Sequence, residues 1–133
     1  MFSVPTRTQY GIRALVHLAM TEARSVTSSE IAKAQAISPK YLEGILGQLK
    51  NSGLILSERG AHGGYRLARL PENIRMIDIV EALEGEVRPV DCVEDSGCCD
   101  LGVNCLPRRF WMGLKEAIDG YFASKTLKDV IEI

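Results

Sequence analysis

Residues 27–53, TSSEIAKAQAISPKYLEGILGQLKNSG, restrict the fold more than any other stretch of this chain. They predict two short helices whose stop and start signals fall within about four residues, AISP. Thr27 and Glu30, three apart, form a capping-box pair ahead of the first helix. Ser38 is placed to cap the second, with Pro39 at its first position, where a missing N–H costs nothing. Leu42, Ile45, Leu46 and Leu49 follow at i, i+3, i+4 and i+7, and Gly53 stands where a C′ glycine ends a helix. The other face carries Lys40, Glu43, Gly44, Gly47, Gln48 and Lys50. Gly44 and Gly47 each cost a helix about 1 kcal/mol relative to alanine, an expense that makes sense where another surface comes close. Two helices so joined have the dimensions of a helix-turn-helix, and equally of a plain αα-hairpin with a solvated face.

The next residues break that tie. LILSER is rich in strand formers, GAHGG is a turn run, and YRLAR resumes the strand pattern. A β-hairpin directly after a helix-turn-helix is the order of a winged helix. Arg59, His62 and Arg66 on or beside the hairpin are expected to meet phosphates or the minor groove, with a solvated loop residue as the alternative for His62. The glycines let the tip take positive φ and let the backbone pass close to DNA.

Around this unit, residues 7–23 carry Ile12, Leu15, Val16, Ala19 and Met20 at helical spacing, and MIDIVEALEG predicts a short amphipathic helix stopped by Gly85. Pro107 opens a longer helix, PRRFWMGLKEAIDGYFASK, with Phe110, Leu114, Ile118, Tyr121 and Phe122 along one stripe. A long helix outside a small winged helix needs a cover for that stripe, either a partner subunit or its own domain. The expected fold class is mainly α with a small β-hairpin wing, a winged helix-turn-helix plus a long C-terminal dimerisation helix. Residues 1–72 form the DNA-binding region (helix-turn-helix about 28–51, wing about 54–69). Residues 73–133 form a cysteine loop (91–105) and the dimerisation helix.

Charge agrees with that division. Residues 1–70 hold nine Lys/Arg against four Asp/Glu, and residues 71–133 hold seven against thirteen, so a +5 half adjoins a −6 half. A basic half suits a polyanion, although such an excess also suits a solvated surface. No apolar run approaches the ~18 residues of a membrane helix, and no basic start precedes a cleavage site, so a cytoplasmic protein without membrane contact is expected. No nucleophile–base pair, phosphate loop or paired catalytic carboxylates argue for an enzyme.

All four cysteines, Cys92, Cys98, Cys99 and Cys105, fall within DCVEDSGCCDLGVNC. The spacing is too wide for C-x₂₋₄-C zinc pairs and misses both ferredoxin patterns. In a reducing compartment, clustered thiols in an acidic, glycine-bearing loop point to metal or cluster binding, to a redox-active disulfide, or to no role. Adjacent Cys98 and Cys99 rarely reach the same iron, so three ligands and one spare thiol is the expected count.

Taken together, TQYGIRALVHLA, then ISPKYLEGILGQLKNSGLILSERGAHGGYRLAR, then IDIVEALEG, then C-x₅-C-x₆-C ahead of a tryptophan closely resemble the Rrf-two family of bacterial winged-helix transcription regulators. The resemblance covers essentially the whole chain. The family includes an iron–sulfur assembly regulator, a nitric-oxide sensor and a cysteine-metabolism regulator. The resemblance implies an iron–sulfur cluster, leaning toward [2Fe–2S], held by Cys92, Cys98 and Cys105, with Cys99 spare. It also implies DNA reading by Lys40 and Glu43 on the second helix and by Arg59 at the wing. With neighbouring polar positions, the expected DNA-contacting set is Ser38, Lys40, Tyr41, Glu43, Gln48, Arg59, His62 and Arg66, on a palindromic duplex bound by a homodimer. Where the assembly regulator has a histidine three residues after its last cysteine, this chain has Arg108, which does not ligate iron in ordinary conditions. Where the nitric-oxide sensor has an acidic residue before its tyrosine, Gln9 precedes Tyr10. The fourth ligand is left open between Gln9, Cys99 and an exchangeable small ligand. A cluster-free regulator under thiol or partner control, and a small iron–sulfur electron carrier, are the rival readings.

Overall fold

The computed structural model describes residues 2–61, 63–93, 97 and 100–133. In chain order it comprises α1 (Thr6–Met20), α2 (Ser28–Gln35), α3 (Pro39–Asn51), β1 (Ile55–Glu58), β2 (Gly64–Leu67), α4 (Met76–Glu84), α5 (Leu106–Ser124) and α6 (Leu127–Ile131). Short 3₁₀ turns at Pro71–Asn73, Asp91–Val93 and Gly102–Asn104 punctuate the connections. The fold is thus mainly helical with one antiparallel hairpin, as the sequence predicts.

The capping chemistry of the helix pair forms as written. Thr27 Oγ1 accepts the Glu30 N–H at 3.1 Å while the Glu30 carboxylate accepts the Thr27 N–H at 3.0 Å. Ser38 Oγ accepts the Tyr41 N–H at 3.4 Å. At the end of α3 the Gly53 N–H donates to Lys50 O and the Leu54 N–H to Leu49 O, both at 3.0 Å. That is a Schellman closure, with Gly53 at φ 77° as the motif requires. Between the helices, Ala36 takes the left-handed conformation at φ 53° and ψ 48°, which redirects the chain within one residue.

Helix α1 stops at Met20, short of the predicted 7–23, because Thr21 is extended. The chain then runs out to the hairpin, where Val26 and Tyr65 exchange two backbone hydrogen bonds at 2.9 and 2.7 Å. The hairpin pairs Ile55 with Leu67 through to Glu58 with Gly64. Val26 therefore adds a third rung to a two-stranded sheet, which local sequence does not signal. Gly60 and Gly64 take positive φ as expected, and this contact adds a second reason for the glycine pair. A Cβ on Gly64 would lie 2.5 Å from Val26 O, and one on Gly63 would lie 2.6 Å from Glu58 O. Those two residues make room for the protein's own backbone.

One core unites the helices. Leu15, Ile31, Leu42, Ile45, Leu46, Leu49, Leu54, Ile55, Ile74, Ile79 and Leu127 are essentially fully buried. Removing each such side chain from water is worth about 1.5–3 kcal/mol before ordering costs. Leu127 reaches this core through α6, which carries its own Thr126/Asp129 capping box. The Leu127 N–H donates to Ile74 O and the Met76 N–H to Lys125 O, each at 2.9 Å, pinning the end of the chain to the start of α4.

Helix α5 differs from the rest. It has 19 residues, about 28 Å, and none of them is fully buried. Leu114, Ile118 and Phe122 are half-buried, whereas Phe110 and Tyr121 are 70% and 62% exposed. The stripe is therefore covered in part by its own chain and left open in part. Lys115 anchors the helix, donating to Asp119 at 2.7 Å and pairing with Glu86 at 3.2 Å. No described helix is long and apolar enough to cross a membrane.

Candidate nucleic-acid interface and cysteine site

The first turns of α3 put Ser38, Lys40, Tyr41 and Glu43 at the surface, while Leu42, Ile45 and Leu46 on the other side hold the helix in the core. Tyr41 is fixed by an edge-to-face contact with Tyr10 of α1, ring centroids 5.8 Å apart at 81°. Arg13 in turn lies over the Tyr10 ring, 5.1 Å from its centroid. Arg7 donates from Nη2 to Gly44 O at 3.2 Å and from Nε to the Gln48 side-chain oxygen. Gln48 is therefore turned toward α1. The surface that approaches Gly44 is the Arg7 side chain, at 3.7 Å from its would-be Cβ, while Gly47 faces open space. Arg7 and Tyr10 position α3, Arg13 packs on Tyr10 and donates to Gln35 at the end of α2, and the sequence reading missed all three. Their spacing of three along α1 is the signal that marks one face.

On the wing, Arg59 is exposed and pairs with no other described residue. Arg66 is not free in this way: its Nε donates to Glu58 at 2.7 Å. Arg24, from the segment after α1, reaches the same carboxylate oxygen at 3.3 Å. The Arg66 hydrogen bond, with Arg24 beside it, holds the Glu58 carboxyl below the usual carboxylate range. Neither Arg24 nor Glu58 figured in the sequence-based set. His62 lies outside the described residues.

At the cysteine loop, Cys92 sits in the 3₁₀ turn Asp91–Val93 and Cys105 is the N-cap residue of α5. Both are half-buried free thiols. Val93 is buried and anchors the turn. Arg108, in the first turn of α5, donates from Nε to Cys92 O at 2.8 Å and from Nη2 to Val93 O at 3.5 Å. Its guanidinium is thus spent on backbone carbonyls and ties the Cys92 turn to the helix that begins at Cys105. Gln9 donates its amide to Val4 O at 2.7 Å on an exposed surface. Cys98 and Cys99 lie outside the described residues. Among the described residues no three His, Cys, Asp or Glu side chains converge as a metal site.

Comparison with known proteins places this arrangement. A family model described as Rrf2, iron-dependent transcriptional regulator, matches residues 4–133. The protein Rrf2 of Nitratidesulfovibrio vulgaris is 40% identical over 127 residues, covering 95% of this chain and 85% of that protein. The structure of CymR, the global cysteine regulator of Bacillus subtilis, superposes with a TM-score of 0.81 at 32% identity over 99% of this chain and 98% of the other. IscR of T. potens superposes with a TM-score of 0.79 at 32% identity, over 98% and 87%. The matching family model describes transcriptional regulators, and CymR is named as a regulator.

Proposed function

The chain belongs to the Rrf2 family of DNA-binding transcription regulators, and from that premise we propose a homodimer that reads a palindromic operator with α3 and the wing and answers to the state of an iron–sulfur cluster at the cysteine loop. The observation that carries the DNA reading is the exposed first half of α3, backed by α1, in the same small fold as an exposed Arg59 that has no partner among the described residues. Ser38 and Lys40 suit phosphate, and Arg59 suits phosphate or the narrow minor groove. Glu43 suits cytosine N4 in the major groove and repels phosphate, so it discriminates rather than adding affinity. Two copies of α3 must meet half-sites about one helical turn apart, so a small change in their separation costs much affinity. Such a regulator works in the bacterial cytoplasm.

For the cofactor, the donor chemistry supports the reading at two of three positions. Cys92 and Cys105 are half-buried thiols at the two ends of the loop, and thiolates are the preferred ligands of iron–sulfur clusters. The first-turn N–H groups of α5 attract negative charge at Cys105. Cys92, Cys98 and Cys105 would hold the group, with Cys99 spare and the fourth ligand supplied by Gln9, Cys99 or an exchangeable molecule. When bound, the group supplies sensitivity to oxidation, nitric oxide or iron supply. This chain's residues hold the loop: Arg108 fixes the Cys92 turn and Lys115 fixes the segment that leads to it.

A second reading, thiol or partner control without a cluster, is favoured by Arg108, which offers no ligand, and by the likeness to CymR. Oxygen-free purification with iron and sulfide counting separates the two. Under the cluster reading, changing Cys92, Cys98 or Cys105 to alanine bleaches the protein and Cys99→Ala spares the colour. A colourless, iron-free wild type that binds its operator undiminished would sink it. For the DNA reading, Glu43→Ala in a binding-site selection relaxes base preference while keeping non-specific binding. Unchanged preference would show that α3 does not read bases there.

A further inference from the structure

Glu58 ends β1 opposite Gly64, and its Oε1 accepts from Arg66 Nε at 2.7 Å and from Arg24 Nε at 3.3 Å. One carboxylate thus gathers two guanidinium groups, one from β2 and one from the segment before α2. The recess beside it is lined by Arg24, Thr27, Glu30, Glu58 and Arg59, which puts the Arg24–Glu58 pair between the start of α2 and the wing. Glu58 is 22% exposed at its side chain, so the charges it gathers are near the surface and within reach of an approaching polyanion. A carboxylate offers guanidinium the same oxygen acceptors as a phosphate diester. Each guanidinium gives its Nε–H to Glu58, so the carboxylate offsets part of their positive charge at a surface where Arg24 stays 84% exposed. The next residue, Arg59, is exposed without a described partner. Because its carboxyl is held below the ordinary range, chiefly by Arg66, Glu58 stays charged at neutral pH and the masking persists.

We propose that Glu58 is a charge-masking residue of the DNA interface: its carboxylate holds Arg24 and Arg66, weakens their pull on phosphate, and so keeps non-specific attraction low beside Arg59, which has no partner among the described residues. This rests on the reading that the wing meets DNA. The physical basis is the salt term of protein–DNA binding, in which each phosphate neutralised steepens the fall of log K with log[salt] by about 0.9. Attraction of that kind is blind to sequence, so adding it strengthens binding to DNA of any sequence alike. An acidic residue that holds back two arginines limits that sequence-blind attraction.

The test measures fluorescence anisotropy of a labelled, operator-free duplex over a KCl series, using the full chain as purified. Glu58→Gln is expected to bind this duplex several-fold to tenfold more tightly at about 0.1 M salt, with a salt slope steeper by about one to two per protomer. Glu116→Gln on exposed α5 makes the same change in net charge and is expected to move neither quantity. Arg24→Ala in the otherwise native protein is expected to leave binding unchanged, and in the Glu58→Gln background to reverse part of the gain. The inference is overturned if Glu58→Gln matches Glu116→Gln. It is also overturned if Arg24→Ala alone weakens binding as much as Arg59→Ala, since Arg24 would then already be spent on phosphate. Arg24→Ala keeps the Glu58–Arg66 pair and so remains decisive should Glu58→Gln fold poorly. Failure of the underlying reading looks different: the native chain shows no salt-dependent binding and Arg59→Ala changes nothing.

Discussion

Ala36 is the one described residue other than glycine with positive φ, and it sits at the turn between α2 and α3. An L-residue in the left-handed region costs about 1–2 kcal/mol, because its Cβ crowds the following carbonyl. Nothing in the local string AQAIS announces this, since alanine is otherwise a strong helix former. The turn is imposed by its neighbours: Ile37 must go into the core and its N–H is taken by Ala32 O at 3.0 Å. Ala36→Gly relieves the strain but loosens the unfolded chain by about 0.4–1 kcal/mol. A net gain of about 0.5–1 kcal/mol is expected, seen as a thermal midpoint about 2–3 °C higher. A lower midpoint would mean that the alanine methyl makes contacts that outweigh its backbone strain. Arg108 teaches a related lesson. The sequence identifies it as a poor iron ligand, but only the fold reveals what it does instead, which is to hold the Cys92 turn.

At the scale of elements, the helix pair was legible because its signals are local. A capping box, an N1 proline and a C′ glycine act over three to six residues, and all of them form as the sequence predicts. The wing was legible in outline, since strand formers flank a glycine turn, but its attachment was not. The Val26–Tyr65 pairing spans 39 positions and has no local code. The same holds for the Arg24–Glu58–Arg66 trio that ties the pre-α2 segment to both strands. Its pH behaviour follows from the depressed Glu58 pKa. A carboxylate with a lowered folded value contributes stability that is present above the unfolded value and lost as pH falls through the folded one. The Arg66 Nε–H resonance is therefore expected to hold constant from neutral pH down through the ordinary glutamate range and to shift only below it. A midpoint at or above the ordinary glutamate value would show that the trio does not form in solution.

For the whole molecule, α5 decides the most. Its half-buried residues pack toward α4 and the N-terminal segment, where Phe2, Val4, Pro5, Val80, Ile118 and Phe122 line one apolar groove. Phe110 and Tyr121 remain at the surface, so a second copy is the cover we propose for them. Phe110→Glu or Tyr121→Glu is expected to weaken self-association by about 1–3 kcal/mol, about five- to 150-fold in Kd, by sedimentation. Because both rings are exposed, the thermal midpoint of the monomer should stay nearly unchanged. Undiminished dimers would place the subunit contact elsewhere. Operator binding should fall with the dimer, since two half-sites need two reading helices.

Sequence alone determined the helix-turn-helix, the hairpin and the stripe on α5, because capping, turn chemistry and hydrophobic period are properties of residues a few positions apart. The concentration of thiols between residues 92 and 105 is likewise plain in the primary chain. Tertiary structure alone decided which charged groups are free and which are spent. Arg59 is exposed with no partner among the described residues while Arg66 is bound to Glu58, and Gln48 turns to Arg7 while Glu43 faces out. The reason is distance along the chain: these partners are 8 to 41 residues apart, and only a packed core brings them within reach of one another.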